Sequence, residues 1–320
     1  MILAPCPFGS LPTARSKHHA ELGLFTINFA TILAKYSLEI GARMLFIKSL
    51  IFNVVFYIHM IMWLVVCIIA LPFPKAMTRW VMVSWAHQVP YLLKWICNIE
   101  IEARGLHNIP DRKLLVACNH QSFLEIILLA KYLKFPIMLF KVSLGRIPAF
   151  GWALYKLRFI PIVRGGRAKT IKFIVKESKS RILHNGQVMI FPEGTRVAPG
   201  EVVKLKQGVI AIYEALHLDC LPVAQNSGLF WARNSFMRYP GKVIIDFMPV
   251  IDKDLEREKF TEQLHSTMMT KKVALEQESF RATNPPPAAK TAKWLEAAKH
   301  QTIIIKDGQV KIDGVITKVD

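Results

Sequence analysis

The 320-residue chain carries 42 Lys and Arg against 23 Asp and Glu, a formal charge of +19, yet 52% of its residues are hydrophobic. Apolar and basic together point to an anionic membrane surface, with nucleic acid as the rival partner. The five scattered cysteines (Cys6, Cys67, Cys97, Cys118, Cys220) form no C-x-x-C pair, which excludes a disulfide framework and a thiolate zinc site and fits a reducing compartment.

Residues 1–43 read as an N-terminal extension, amphipathic or disordered. Arg15, Lys17, His18 and His19 precede "ELGLFTINFATILAKY", which Asn28 interrupts and no small-residue cleavage site follows, unlike a secretory signal. Met44 opens a segment that would serve equally well as a start. Residues 44–98 read as membrane-anchoring helices. No charge occurs between Lys48 and Lys75, a run longer than the ~20 residues that cross a hydrocarbon core of ~30 Å, and Pro72 and Pro74 end it. "WVMVSWAHQVPYLLKWICNIE" is shorter, contains Pro90, and carries Trp80, Trp85 and Trp95, which suit the headgroup level. The pair is compatible with spanning and with re-entry.

From Ile99 to residue 283 strands alternate with helices. "KLLVACNH", "FPIMLFK", "RFIPIVR", "QVMIFPEG", "LPVAQNS" and "KVIIDFMPV" read as strands. "SFLEIILLAKYL", "RAKTIKFIVKESKSRIL" and "KQGVIAIYEALHL" read as helices, the second with Ile171, Ile174, Val175, Ser178 and Ile182 on one face and lysines on another. The expected fold is α/β, a mainly parallel sheet flanked by helices and preceded by N-terminal membrane-embedded helices. Ligands of such sheets sit beyond the carboxyl ends of the strands, where "NH" and "FPEGTR" fall. Residues 284–320 read as a Pro-rich linker, "NPPPAAK", and a small β tail with two Asp-Gly turns.

In "NHQSFLE", His120 stands five residues before Glu125. Ser122 and Glu125 fit a capping box, in which the acid reaches back to the backbone of the cap. A carboxylate that accepts from one imidazole nitrogen also raises the basicity of the other, and capping does not preclude that role. In "FPEGTR", Gly194 allows close backbone approach and Arg196 offers a planar fork suited to phosphate. Arg164 ends "FIPIVR", and Lys141 and Arg146 lie in "KVSLGRIPAFG". Several cations at strand ends around one histidine suggest an anion site. A serine nucleophile would fall to Ser122, but no G-x-S-x-G elbow is present. No H-E-x-x-H pair suggests a metal.

"NHQSFLE", "FIPIVR", "FPEGTR" and "LPVAQNS" resemble the four ordered motifs of the glycerolipid acyltransferases, especially the bacterial 1-acyl-sn-glycerol-3-phosphate type, over about Glu100 to Leu264. The resemblance implies the glycerolipid acyltransferase fold and transfer of an acyl chain from a thioester to the sn-2 hydroxyl of lysophosphatidic acid, giving phosphatidic acid. It makes His120 the general base and Glu125 its partner, where the commonest form of the motif has Asp. Lys141, Arg164, Glu193, Gly194, Thr195 and Arg196 become the phosphate- and glycerol-binding group, and Pro222 a structural proline. Ser143 stands where relatives often have Glu.

The expected partners are membrane lipid, lysophosphatidic acid and acyl-CoA or acyl-acyl carrier protein as donor, with no cofactor, no metal and no nucleic acid. The expected location is a bacterial inner membrane, with the catalytic domain facing the cytoplasm. The alternatives are another lysophospholipid or an acylated amine lipid as acceptor, or a catalytically silent basic membrane-binding protein on the same fold.

Overall fold

The computed structural model describes residues 14–163, 167–182, 186–287, 303–306, 309–312 and 315–317. The chain divides into two compact units, Met1–Ile47 and Lys48–Asp320. Helix α1 (Ala14–Ala70) is continuous through Met44, where the sequence places the start of the apolar anchor. Within it, Lys35–Ala70 is long and apolar enough to cross a membrane.

From Ser49 onward, α1 has two faces set by packing, not by polarity. Ser49, Phe52, Phe56, Cys67 and Ala70 recur at helical spacing and are buried. Ile51, Val54, Ile58, Ile61, Met62 and Val65 are exposed. An outer face this apolar and this continuous indicates membrane association. After the Pro72–Pro74 turn, α2 (Lys75–Cys97) buries Val81, Ala86, Val89, Leu93 and Cys97 and leaves Trp80, Tyr91 and Trp95 exposed. Pro90 lies inside α2 without ending it.

The second unit then alternates: β1 (Ile99–Arg104), β2 (Leu114–Cys118), α3 (Leu124–Tyr132), β3 (Pro136–Lys141), α4 (Phe150–Lys156), β4 (Ile160–Ile162), α5 (Arg167–Arg181), β5 (Gln187–Ile190), α6 (Gln207–Leu216), β6 (Cys220–Gln225), β7 (Gly241–Phe247) and α7 (Arg257–Phe280). Seven strands form one sheet in the order β1-β7-β6-β2-β5-β3-β4. Neighbours are parallel except β6 and β7, whose connection contains a short 3-10 turn and no crossover helix. The central strands β2, β5 and β6 are buried along their whole length, which explains their continuous apolar runs. Ile174 and Ser178 of α5, and Ile182 just past its end, are buried, matching the expected inward face.

Three elements lie beyond those read from the sequence: β1, the seven-residue α4 and the long α7. The tail forms an antiparallel meander of β8 (Ile303–Lys306), β9 (Gln309–Ile312) and β10 (Val315–Thr317). Its two Asp-Gly turns, at 307–308 and 313–314, lie outside the described residues, as does the end of the Pro-rich linker.

Candidate active site

Strand β2 lies between β5 and β6, so the carboxyl ends of three adjacent strands bring together Asn119-His120, Phe191-Pro192-Glu193 and Asn226-Ser227. The histidine stands in the middle. Its strand has ended and α3 has not begun, so the turn 119–123 folds its ring back toward the first turn of that helix.

His120 Nδ1 lies 2.6 Å from Glu125 Oε1. The same carboxylate accepts from the backbone N–H groups of Gln121 (3.0 Å) and Ser122 (2.9 Å) and from the Ser227 hydroxyl (2.9 Å). Glu125 therefore reaches back to the Ser122 backbone and meets the imidazole at once. The cap differs in detail from the expected box. The boundary residue of α3 is Phe123, and the Ser122 hydroxyl accepts from Leu124 N–H at 3.1 Å. Ser122 is fully buried and already occupied, which disfavours it as a nucleophile.

The backbone and ring of His120 are fixed from the β5 side. Its N–H donates to Glu193 Oε2 (2.7 Å), its carbonyl accepts from Val197 N–H (2.8 Å), and its ring stacks on Phe191 at 4.1 Å between centroids. Glu193, expected among the substrate-binding residues, is 1% exposed and holds the histidine's backbone instead. A buried carboxylate engaged this way is poorly placed to greet a phosphate. Burial pushes its carboxyl up to about 7, partly offset by Lys272 and by the His120 N–H.

That shift has a sign. The folded state holds a proton that the unfolded chain loses near 4.5, so the contribution is fully present below that pH and is lost as pH rises through about 7. Glu193→Gln does not titrate. The melting temperature of Glu193→Gln minus that of the wild type, in detergent, should rise by ~5 °C between pH 5 and pH 8. A pH-independent difference would contradict the assignment.

Two further partners come from the fourth motif and were not read from the sequence. Asn119 and Gln225 exchange side-chain and backbone bonds: Asn119 Nδ2 donates to the Gln225 carbonyl (3.0 Å), and Gln225 N–H donates to Asn119 Oδ1 (2.8 Å). Ser227 supplies the hydroxyl to Glu125. Neither residue type signals such a role, and the contacts close over more than a hundred positions of chain.

Helix α7 contributes a third set. Gln121 Nε2 donates to Glu276 Oε1 (2.6 Å), while Gln121 Oε1 accepts from Gly228 N–H (3.2 Å). Glu276 also accepts from Gly200 N–H (2.9 Å) and lies 3.5 Å from the Lys272 ammonium, both side chains being fully buried. Lys272 donates in addition to the Glu201 carbonyl. A buried ion pair thus ties the His120 turn to the chain after "FPEGTR".

Of the expected cations, Lys141 is exposed at the carboxyl end of β3, two strands from β2 and so ~10 Å away across the sheet. Arg196 is half-buried on the loop after β5, beside exposed Gly194 and Thr195. Arg164 lies outside the described residues. One cation was missed. Gly194 has φ +70°, and a Cβ there would come within 3.1 Å of the Lys206 side chain, so glycine lets Lys206 lie across this loop. Among the described residues no three His, Cys, Asp or Glu gather as metal ligands.

Comparison with known proteins gives a consistent family likeness. The family profile described as Acyltransferase matches residues 100–226. The 1-acyl-sn-glycerol-3-phosphate acyltransferase of Pseudomonas aeruginosa is 32% identical over 186 residues, covering 58% of this chain and 72% of that protein. That of Cocos nucifera is 27% identical over 212 residues, covering 64% and 68%. The crystal structure of the 1-acyl-sn-glycerophosphate (LPA) acyltransferase PlsC from Thermotoga maritima superposes with a TM-score of 0.61 at 18% identity, covering 72% of this chain and 97% of that one.

Proposed function

The chain belongs to the family of 1-acyl-sn-glycerol-3-phosphate acyltransferases, and we propose that it acylates the sn-2 hydroxyl of lysophosphatidic acid from a thioester, with His120 as general base. The observation that carries this reading is the 2.6 Å contact between His120 Nδ1 and Glu125 at the carboxyl end of β2. A carboxylate that already accepts two backbone N–H groups is an acceptor for Nδ1–H as well. That leaves the Nε2 lone pair to take a proton.

The acceptor hydroxyl gives its proton to Nε2 as its oxygen attacks the thioester carbonyl. The tetrahedral intermediate collapses with cleavage of the C–S bond, and the imidazolium returns the proton to the departing thiolate. Glu125 stabilises the imidazolium between these steps. No cofactor beyond the donor takes part.

Lys141, Arg164, Arg196 and Lys206, with the backbone of Gly194 and Thr195, are our assignment for the acceptor phosphate. Fixing the phosphate holds the hydroxyl near the base, so that proximity supplies much of the rate. Glu193 holds the His120 backbone and is assigned no substrate contact. Lys206→Met is expected to raise KM for lysophosphatidic acid by ~10-fold with a smaller change in kcat, the loss of one charge-assisted bond. Steady-state kinetics in detergent would reveal it, and an unchanged KM would remove Lys206 from the group.

The apolar helices anchor the enzyme on a bilayer, in our reading the cytoplasmic face of a bacterial inner membrane. The test is product formation by purified protein with lysophosphatidic acid and, separately, acyl-CoA and acyl-acyl carrier protein. Phosphatidic acid from either donor supports the proposal and identifies that donor. No product from both would overturn it.

A further inference from the structure

Outside α1 and α2, exposed large apolar side chains are densest on one short segment, from the 3-10 turn Val142–Arg146 through α4, while Leu106, Val163, Phe173 and Phe236 stand singly elsewhere. Leu144, Ile147, Phe150, Trp152 and Tyr155 are all exposed, Trp152 at 55%. Charge is distributed in the same one-sided way. The 51 residues from Ile126 to Lys176 contain eleven Lys and Arg and not one Asp or Glu. Lys141 and Arg146 flank the apolar cluster and are exposed.

This segment is seated on the end of the membrane-associated helix. Ala153 of α4 is buried with Cys67 and Ala70 of α1 and Val81 of α2. The Lys156 ammonium donates to the carbonyls of Ala70 (3.3 Å), Leu71 (2.5 Å) and Phe73, at and just beyond the end of α1, where a cation is favoured. The segment is thus fixed directly to the end of the apolar helix α1. The segment also follows Lys141 at the carboxyl end of β3, the end of the sheet at which His120 stands.

We propose that residues 142–156 form a second lipid-contacting surface beside the active site. Phe150 and Trp152 enter the acyl region, and Arg146 meets anionic headgroups, while Lys141 stands where the surface meets the phosphate site. Aromatic side chains rimmed by cations, with acid excluded, suit an anionic bilayer better than a protein partner. The inference rests on the membrane-bound acyltransferase reading and extends it: the acceptor reaches the site by lateral movement, without leaving the bilayer.

Tryptophan quenching tests it on the full chain bound to vesicles of phosphatidylcholine and phosphatidylglycerol with brominated acyl chains. The signal of Trp152 is the difference between the wild type and Trp152→Phe, a variant that should retain activity in detergent. The signal of α1 is the difference between Ile61→Trp and the wild type. The expected result is loss of more than half of both signals relative to unbrominated vesicles. Quenching of the Ile61→Trp signal alone would overturn the second surface and leave the membrane reading standing. Quenching of neither would overturn both.

Discussion

Replacing His120 with alanine is expected to lower kcat for acyl transfer by ~100- to 10,000-fold while leaving the protein folded. The two halves of this expectation come from different atoms. The chemistry uses the ring, but the contacts that hold the turn use the backbone: N–H to Glu193 and carbonyl from Val197, both available to alanine. Glu125 keeps three other donors, from Gln121, Ser122 and Ser227, so no carboxylate is orphaned. What is lost is the stack on Phe191 and the base itself. Product formation measured beside far-ultraviolet circular dichroism separates the two. Activity within twofold of wild type in a folded variant would remove His120 from the mechanism.

Glu276→Ala is expected to destabilise the protein by about 3–5 kcal/mol, although Glu276 touches no substrate in our assignment. It would leave the fully buried Lys272 ammonium with a backbone carbonyl as its remaining hydrogen-bond partner and only the electrostatic influence of Glu193 beside it, and strip the acceptor from Gln121 Nε2 and Gly200 N–H. Removing one partner of a buried pair costs more than the pair contributes, because the other charge stays behind. The variant Lys272→Met with Glu276→Leu should therefore recover part of the loss. Recovery would be incomplete, since Gln121 and Gly200 remain unpaired. Denaturant titrations in detergent of the two singles and the double give the coupling. A cost below about 1 kcal/mol for Glu276→Ala would mean that the chain after "FPEGTR" does not depend on this pair.

The same pair explains why α7 was not legible in the sequence. A helix is recognised by an apolar stripe, but α7 turns Lys272, Glu276 and Gln277 inward among its apolar residues, so the stripe is broken by charge. Where burial is apolar throughout, as in β2, or broken only by a glutamine at one strand end, as in β5 and β6, the strands stand out. The reversed direction of β7 escaped the alternation of strands and helices. Its signal was the lack of a helical pattern between "LPVAQNS" and "KVIIDFMPV". His120 and Glu125 were visible because they are close in sequence and belong to a motif. Gln225, Ser227 and Lys206 were not, because short-range spacing carries no information about contacts closed by the sheet or by a loop.

The bonds that fix the His120 turn have a consequence for when the enzyme first becomes competent. They reach to Glu193, to Gln225 and Ser227, and to Glu276, spanning 73 to 155 residues. Closing such loops is slow, and none can close before the distant residue exists. During synthesis, α1 and α2 leave the ribosome first and can meet the bilayer while the catalytic turn still lacks its supports. On our reading the nascent chain can be anchored before its catalytic turn is complete, for that turn gains its last support only after α7 has been made.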